Sequence, residues 1–500
     1  MELGTVITTF EGPSTTNFSF VLTTGNVRKG QFVQVNTDDG LLMGLILDIT
    51  RANRYFERAE SVAEYERSGS MILNFPITDW EYTVANVRII GVLKNNNIMR
   101  NAFPPAPGGR VFSADEVLLK DFVGFVDDGL HLGKLENHNV DAKISLTRLL
   151  QKHLAILAIS GSGKSYLSGV LIEELVDRKP EHGRLAVIVV DIHGEYIGFK
   201  SGPYADKTKI FKGNDIRIAL HKISPQLLYE FLPELSIAQK RYIGKLLHVL
   251  KERKNATNEG YSLADLILQI ESSEEIKDSV KGPLIGSLYS LKTMKLFGKV
   301  DSPGYLDLAQ QGKVSILDLS DLDNLKKKQL IVAYFAKKLF RLRKKGGVPP
   351  FLLVLEEAHN FAREKASKHE VISKGIVETI AGEGRKFGAS LCLISQRPVQ
   401  LSTTALSQCN TNIILRVTNP YDIDHIGESC ESIDKSMLNS ISTLRVGEAL
   451  IVGEAVNHPI FIKIRERRSK RLLKGDSLEA MARQFEEKEE KKKQDVEAFL

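Results

Sequence analysis

Eight consecutive residues, Ala158-Ile-Ser-Gly-Ser-Gly-Lys164-Ser165, have the types and spacing needed to wrap a polyphosphate. Small side chains let backbone N–H groups turn inward, and the N-terminus of a following helix adds partial positive charge. Lys164 can reach β- and γ-phosphates, and the Ser165 hydroxyl can ligate Mg²⁺. Gly161, Ser162, Gly163, Lys164, Ser165 and Tyr166 are therefore the expected nucleotide-binding residues, with ATP and Mg²⁺ as cofactors. Ala158 stands where such loops carry their first glycine, which a negative φ permits. Lys164 is expected to be an exposed charge on the loop, so that its removal leaves the fold intact. A glycine-rich turn beside an unrelated Lys-Ser would share the composition, but not the position between an apolar strand and a helix.

Hydrolysis needs carboxylates on a second strand. Phe351-Leu-Leu-Val-Leu-Glu356-Glu357 supplies an apolar run ending in two. Glu356 is read as holding Mg²⁺ through water, and Glu357 as polarising the attacking water. A third run, Ala389–Ser395, ends in Gln396, a polar group suited to sensing the γ-phosphate. Before it lie Arg385 and Lys386, either of which is a candidate cation for a neighbouring subunit's site. Asp191, His193 and Glu195 close the strand that follows the phosphate loop, and ligands of α/β sheets collect at such strand ends. Nothing in the chain has the pattern of a Ser/His/Asp triad or a metal cluster.

These residues require a scaffold that gathers strand ends. The runs at 154–159, 185–191, 314–319, 351–355 and 389–394 are continuously apolar, as parallel strands covered on both faces are. Runs at 413–417 and 448–452 extend the same sheet. Residues 223–299 have Leu and Ile at spacings of three and four, predicting a helical insertion. Residues 1–120 differ: short runs at 18–23, 31–35, 41–49 and 84–92, broken by Gly, Asn and Asp, predict a small β-barrel or sandwich. Residues 121–150 are read as a connector, 151–465 as the ATPase core, and 466–500 as a charged helical tail.

The 500 residues exceed one typical core. A net charge of +6 leans mildly toward anionic partners. Three cysteines, Cys392, Cys409 and Cys430, make no metal-binding pair and argue against a disulfide framework. No apolar run has the length to span a bilayer, and the first residues lack a signal-peptide pattern. The expectation is a cytoplasmic protein with no membrane segment.

With these motifs together, the chain resembles HerA-type ATPases of the HerA–FtsK superfamily. The resemblance rests on the phosphate loop, Asp191-Ile-His-Gly-Glu-Tyr196, Leu-Glu-Glu-Ala-His-Asn360, Glu383-Gly-Arg-Lys-Phe-Gly388 and Ile-Ser-Gln396-Arg-Pro398. Gly4-Thr-Val, Phe32-Val-Gln-Val and Met43-Gly44 resemble the small barrel such proteins share with rotary ATP synthases. The resemblance implies a RecA-like α/β core with an N-terminal β-barrel, and a homohexameric ring that moves along duplex DNA. It also implies a NurA-type nuclease partner and a role in resecting double-strand breaks. By the same route Arg385 maps onto a trans-acting finger, Arg148 faces a neighbouring nucleotide, and His458-Pro459-Ile460 help close the base and ribose pocket. Alternatives to a DNA translocase are an ATPase that remodels protein or pumps DNA, and a low-turnover ATP-switched clamp.

Overall fold

The computed structural model describes residues 1–8, 12–23, 27–53, 81–95, 97–257, 260–367, 370–430 and 435–470, together with 56, 60, 62, 66, 433, 479, 482–483 and 485–486. Most of the charged tail, including its Glu- and Lys-rich stretch from 487 to 493, thus lies outside the described residues. The chain forms two compact units, residues 1–149 with 410–465, and residues 150–409 with 466–500.

The first unit opens with β1 (Glu2–Ile7), β2 (Asn17–Leu22), β3 (Phe32–Thr37), β4 (Gly40–Asn53), β5 (Glu81–Lys94), β6 (Asn97–Met99) and β7 (Arg110–Ser113). Their order is β2-β1-β7-β3-β4-β5-β6. Antiparallel pairing of β2 with β5 returns the sheet on itself, so six strands close a barrel and β6 lies outside the ring. Alternation decides its interior: Phe18 and Phe20 on β2, Val33 and Val35 on β3, and Leu42 on β4 point into one buried cluster. Closure removes the unpaired edges that a small open sheet would leave.

Residues 121–150, read from sequence as a connector, carry regular structure. After α1 (Glu116–Val123) come β8 (Leu130–Leu135) and β9 (Asp141–Ile144), paired antiparallel. The strands are short and rich in Gly, His, Lys and Asp, which hid their alternation. α1 starts at a clear cap, with the Asp115 carboxylate accepting the Val117 and Leu118 N–H groups, and stops at Gly124 in the left-handed region.

The second unit is built on β10 (Leu154–Leu157), β11 (Ala186–Asp191), β12 (Thr208–Lys212), β13 (Val314–Asp318), β14 (Phe351–Leu355) and β15 (Ala389–Ser395). They pair in the order β12-β13-β11-β14-β15-β10, every pair parallel. Every residue of β10, β11, β13, β14 and β15 is buried, which is why their sequences read as unbroken apolar runs. α2 (Lys164–Asp177) follows β10 directly. This is the RecA-like P-loop core. Its insertion comprises α3 (Pro225–Phe231), α4 (Ile237–Thr257), α5 (Leu263–Glu271) and α6 (Asp278–Thr293), and short parallel pairing of Ile218 with Phe297 ties its two ends. α7 (Leu325–Lys344) and α8 (Lys374–Glu383) complete the connections.

The chain then returns to the first unit as β16 (Thr411–Ile414), β17 (Glu448–Gly453) and β18 (Ile460–Ile464). β16 pairs antiparallel with β17, β17 with β18, and β18 with β8. The stretches 413–417 and 448–452, read from sequence as extending the sheet, do form sheet strands, and they run antiparallel to each other.

His153 fixes the entry to β10. Its ring is 1% exposed, Nδ1 accepts the Leu391 N–H at 3.0 Å, and Nε2 donates to the Ala381 carbonyl at 2.9 Å. Burial lowers its pKa from 6.5 to about 4, so the folded protein holds it neutral. The unfolded chain takes up a proton as pH falls below 6.5, and the folded chain takes it up only near 4. Stability is therefore full above pH 6.5 and declines as pH falls toward 4, by up to about 1.4 kcal/mol per pH unit from this residue. Denaturant unfolding of the wild type and His153→Gln across that window should show a shallower pH slope for the variant; equal slopes would remove His153 as a source.

Candidate functional site

The parallel register sets the site's position. Leu157 pairs with Ser395, Leu355 with Leu393, and Val190 with Leu355. The residues at the ends of these strands, from Ala158, Gln396 and Glu356 just past them and from Asp191 at the last position of β11, therefore emerge along one edge of the sheet.

Between β10 and α2 the loop turns on two glycines, Gly161 at φ 76° and Gly163 at φ 103°. Both values lie in the left-handed region that glycine enters without steric cost. The Ser162 hydroxyl donates to the Ile159 carbonyl at 2.6 Å and steadies the turn. Gly163 caps α2 without a side chain, so the helix N-terminus faces the loop with its N–H groups.

Lys164 is not the exposed charge expected from sequence. Its side chain is 10% exposed, and Nζ donates to Oε1 of Glu357 at 2.9 Å, with the Glu357 side chain 5% exposed. Glu357 sits at φ 47°, a left-handed conformation uncommon for a residue with a side chain, directly after β14. Its second oxygen, Oε2, is buried without a hydrogen-bond partner among the described residues. His359 Nδ1 lies 3.5 Å from that oxygen and 3.2 Å from the Ser395 hydroxyl at the end of β15. Burial, chiefly, lowers the His359 pKa despite the Glu357 charge beside it. The sequence reading passed over His359, although its place two residues after the Glu-Glu pair was a usable signal.

The Ser165 hydroxyl meets Glu195, not Glu356, and donates to its Oε2. Three carboxyl groups gather beneath it. Asp191 accepts the Gly194, Glu195 and Tyr196 N–H groups at 2.6–3.1 Å, which folds the turn that carries Glu195. Glu356 is 2% exposed and accepts the Ile192 N–H at 3.2 Å. Burial, then the charges of Asp191 and Glu195, push the Glu356 carboxyl well above the usual carboxylate range. Burial also raises Asp191. At Glu195 burial opposes ionisation, but hydrogen bonds from Ser165 and Glu356 with the nearby charges of His193 and Lys164 outweigh it, so its pKa is lowered.

These groups fit Mg²⁺ with a polyphosphate. Among the described residues no group of three or more His, Cys, Asp or Glu is arranged to hold a metal unaided. Mg²⁺ commonly uses one or two protein ligands and completes its shell with phosphate and water. Ser165 with the carboxylates around Glu195 and Glu356 would be such a set, and a cation there would offset the carboxyl repulsion. Lys164 would have to exchange Glu357 for phosphate.

The other expected residues are placed as follows. Gln396 is half-buried and immediately follows β15. Tyr166 is half-buried, and its hydroxyl accepts the Arg467 N–H at 2.7 Å. Arg385 is exposed in the turn Gly384–Lys386 before β15, at the opposite end of that strand from Ser395. At ~3.3 Å per residue over β15, Arg385 stands about 20 Å from its own chain's site. Arg148, Pro459 and Ile460 belong to the first unit. There Arg148 donates to the Glu454 carbonyl at 2.7 Å and to Asn457 Oδ1 at 2.9 Å, while Ile460 is buried and pairs with Ile451.

Comparison with known proteins gives the same outline. The family described as Helicase HerA, central domain, matches residues 130–339. The DNA double-strand break repair helicase HerA of Pyrococcus furiosus is 28% identical, over 90% of this chain and 90% of its own length. The protein of that name from Saccharolobus solfataricus is 29% identical over 93% of this chain and 92% of its own. Among solved structures, VirB4 of Thermoanaerobacter pseudethanolicus superposes with a TM-score of 0.55 at 18% identity, covering 69% of this chain and 98% of that one.

The buried pair predicts a double-mutant result. Lys164→Ala should abolish nucleotide binding and also destabilise the fold, because it strands a buried carboxylate; removing one partner of such a pair typically costs about 3–5 kcal/mol. Adding Glu357→Gln to Lys164→Ala should restore much of that stability without restoring binding. Denaturant midpoints and nucleotide titrations of the two single variants and the double variant check both halves. Additive stability losses would sink the pairing.

Proposed function

This chain is a HerA-type protein, and we propose that it hydrolyses Mg-ATP to drive movement along duplex DNA as a homohexameric ring. The observation that carries the reading is the 2.9 Å contact between Lys164 and Glu357. It joins the phosphate loop to the carboxylate suited to polarise water. In this reading ATP draws Lys164 onto its β- and γ-phosphates. Glu357 is then freed of its cation and becomes the general base, with His359 and Ser395 fixing its orientation. Ser165 holds the Mg²⁺, with Glu356 reaching it through water, and Gln396 faces the γ-phosphate. Glu357→Gln would bind ATP and turn over slowly.

The placement of Arg385 supports a ring. Arg385 stands too far from its own chain's site to act there, yet it is exposed at one end of the sheet. Supplied to a neighbour, it would be the trans finger, worth about 10³–10⁵ in rate in known cases. Relatives named as DNA double-strand break repair helicases support a role in repair, and a NurA-type nuclease is the partner that the family resemblance implies. Contacts to DNA would be electrostatic and largely independent of base sequence, as a motor requires.

Two measurements test this. Duplex DNA should stimulate steady-state ATP hydrolysis, and salt should suppress the stimulation steeply, since affinity falls by a log–log slope of about −0.9 per neutralised phosphate. An intact oligomer whose rate never responds to duplex at any salt would favour protein remodelling instead. Mixed rings of Arg385→Ala and Lys164→Ala chains should regain part of the activity each lacks alone, because some interfaces then have both halves intact. No recovery, with mixed assembly verified, would leave Arg385 a structural or cis role.

A further inference from the structure

Three residues, Arg467, Arg468 and Ser469, form a strap along one face of α2, the helix that the phosphate loop starts. That face is defined by helical spacing: Ser165, Gly169, Glu173 and Asp177 lie four residues apart, one above the other. Each makes room for the strap or binds it. The Arg467 guanidinium donates through Nη1 to the Ser165 carbonyl at 3.1 Å and through Nε to the Ser469 hydroxyl at 2.6 Å. It lies over the Phe199 ring, 5.2 Å from the centroid. The backbone N–H of Arg467 donates to the Tyr166 hydroxyl at 2.7 Å.

One turn on, the space for the guanidinium exists because residue 169 is glycine. A Cβ there would come within 2.6 Å of Arg467 Nε and 2.7 Å of its Cζ. On the next turn Glu173 is fully buried, and its Oε1 accepts three hydrogen bonds from the strap: from the N–H of Arg468 at 2.9 Å, and from the N–H and hydroxyl of Ser469 at 2.7 Å each. Arg468 then reaches Glu174 at 2.5 Å and Asp177 at 3.3 Å. A buried carboxylate with three donors from one short segment fixes that segment's register on the helix, because each donor lost would leave a buried charge less well solvated.

Arg467 also touches the second element of the site. Phe199 lies in the turn Ile197–Lys200, directly after the Asp191–Tyr196 segment that presents Glu195 to Ser165. The guanidinium therefore spans the two segments whose separation sets the Ser165–Glu195 contact. We infer that Arg467 is a positioning residue for the divalent cation of the nucleotide site. Held by Glu173 through the strap and admitted by Gly169, it fixes the first turn of α2 against the Glu195 turn, so that the Ser165 hydroxyl meets Mg²⁺ in the correct place. This rests on the reading of residues 158–165 as a Mg-nucleotide site. Outer groups that orient metal ligands typically change affinity or activity by about 10- to 100-fold when removed.

The test is the affinity of the full-length protein for fluorescently labelled ADP, measured with Mg²⁺ and with EDTA. Arg467→Ala should weaken binding by about 10- to 100-fold in Mg²⁺ and leave it near wild type in EDTA. Arg467→Lys, which keeps the charge but loses the planar fork and the stacking, should fall between. Gly169→Ala keeps the arginine and displaces it, so it should reproduce the Mg²⁺-dependent loss, and it carries the test if Arg467→Ala does not fold. Folded Arg467→Ala or Gly169→Ala protein that binds the Mg²⁺ complex like wild type overturns the role. So does a loss equal in Mg²⁺ and EDTA, which marks a purely structural strap. A wild type that binds no nucleotide in either condition, like the Lys164→Ala control, overturns the site itself.

Discussion

Lys164 and Glu357 have side chains 10% and 5% exposed, and they meet at 2.9 Å. Neither charge could be withdrawn from water alone, since an unpaired buried ion costs several kcal/mol. Each is therefore a condition for the other, and together they hold the phosphate loop against the end of β14. The arrangement is poised. In the proposed reading a polyphosphate would compete for the same ammonium group, and the carboxylate it displaced would keep His359 beside it, a ring that the Ser395 hydroxyl holds in turn. Loop occupancy and availability of a base would then be one event.

The carboxyl groups around Ser165 work by a related balance. Asp191 is committed to three backbone N–H groups and acts as the pin of a turn. Glu356 lies deepest and is held toward its neutral form by burial and by its two acidic neighbours. Glu195 is the shallower one and meets the serine. A divalent cation would offset the repulsion among three carboxyl groups this close, which would favour Mg²⁺ beside Ser165.

The six parallel strands of the second unit make both arrangements possible. Its strands are buried on both faces, so polar side chains are tolerated only where strands end. The register then brings the ends of β10, β11, β14 and β15 to one edge. Arg385, before β15 rather than after it, falls at the other edge for the same reason.

Much of this was legible in the sequence, and the boundary is physical. Unbroken apolar runs fixed the buried strands, because period and burial are local properties, and β14 occupies the very residues read for it. The phosphate loop was legible because its chemistry resides in consecutive residues, and the barrel class because alternation and turn residues are equally local. Other features were decided in three dimensions. The β8–β9 hairpin gains its stability from pairing with β18, more than three hundred residues away, so its own polar sequence understated it. The burial of Lys164 depends on a partner 193 residues distant. Which carboxylate meets Ser165 depended on the turn that Asp191 pins, not on proximity to the Glu-Glu pair. The strap on α2 was invisible for the same reason: Arg467, Arg468 and Ser469 belong to a run of charge that reads as solvated tail, until tertiary structure sets a buried Glu173 and the open face of Gly169 against them. Local backbone preference can be read along a chain, whereas the partner of a buried charge is chosen by topology.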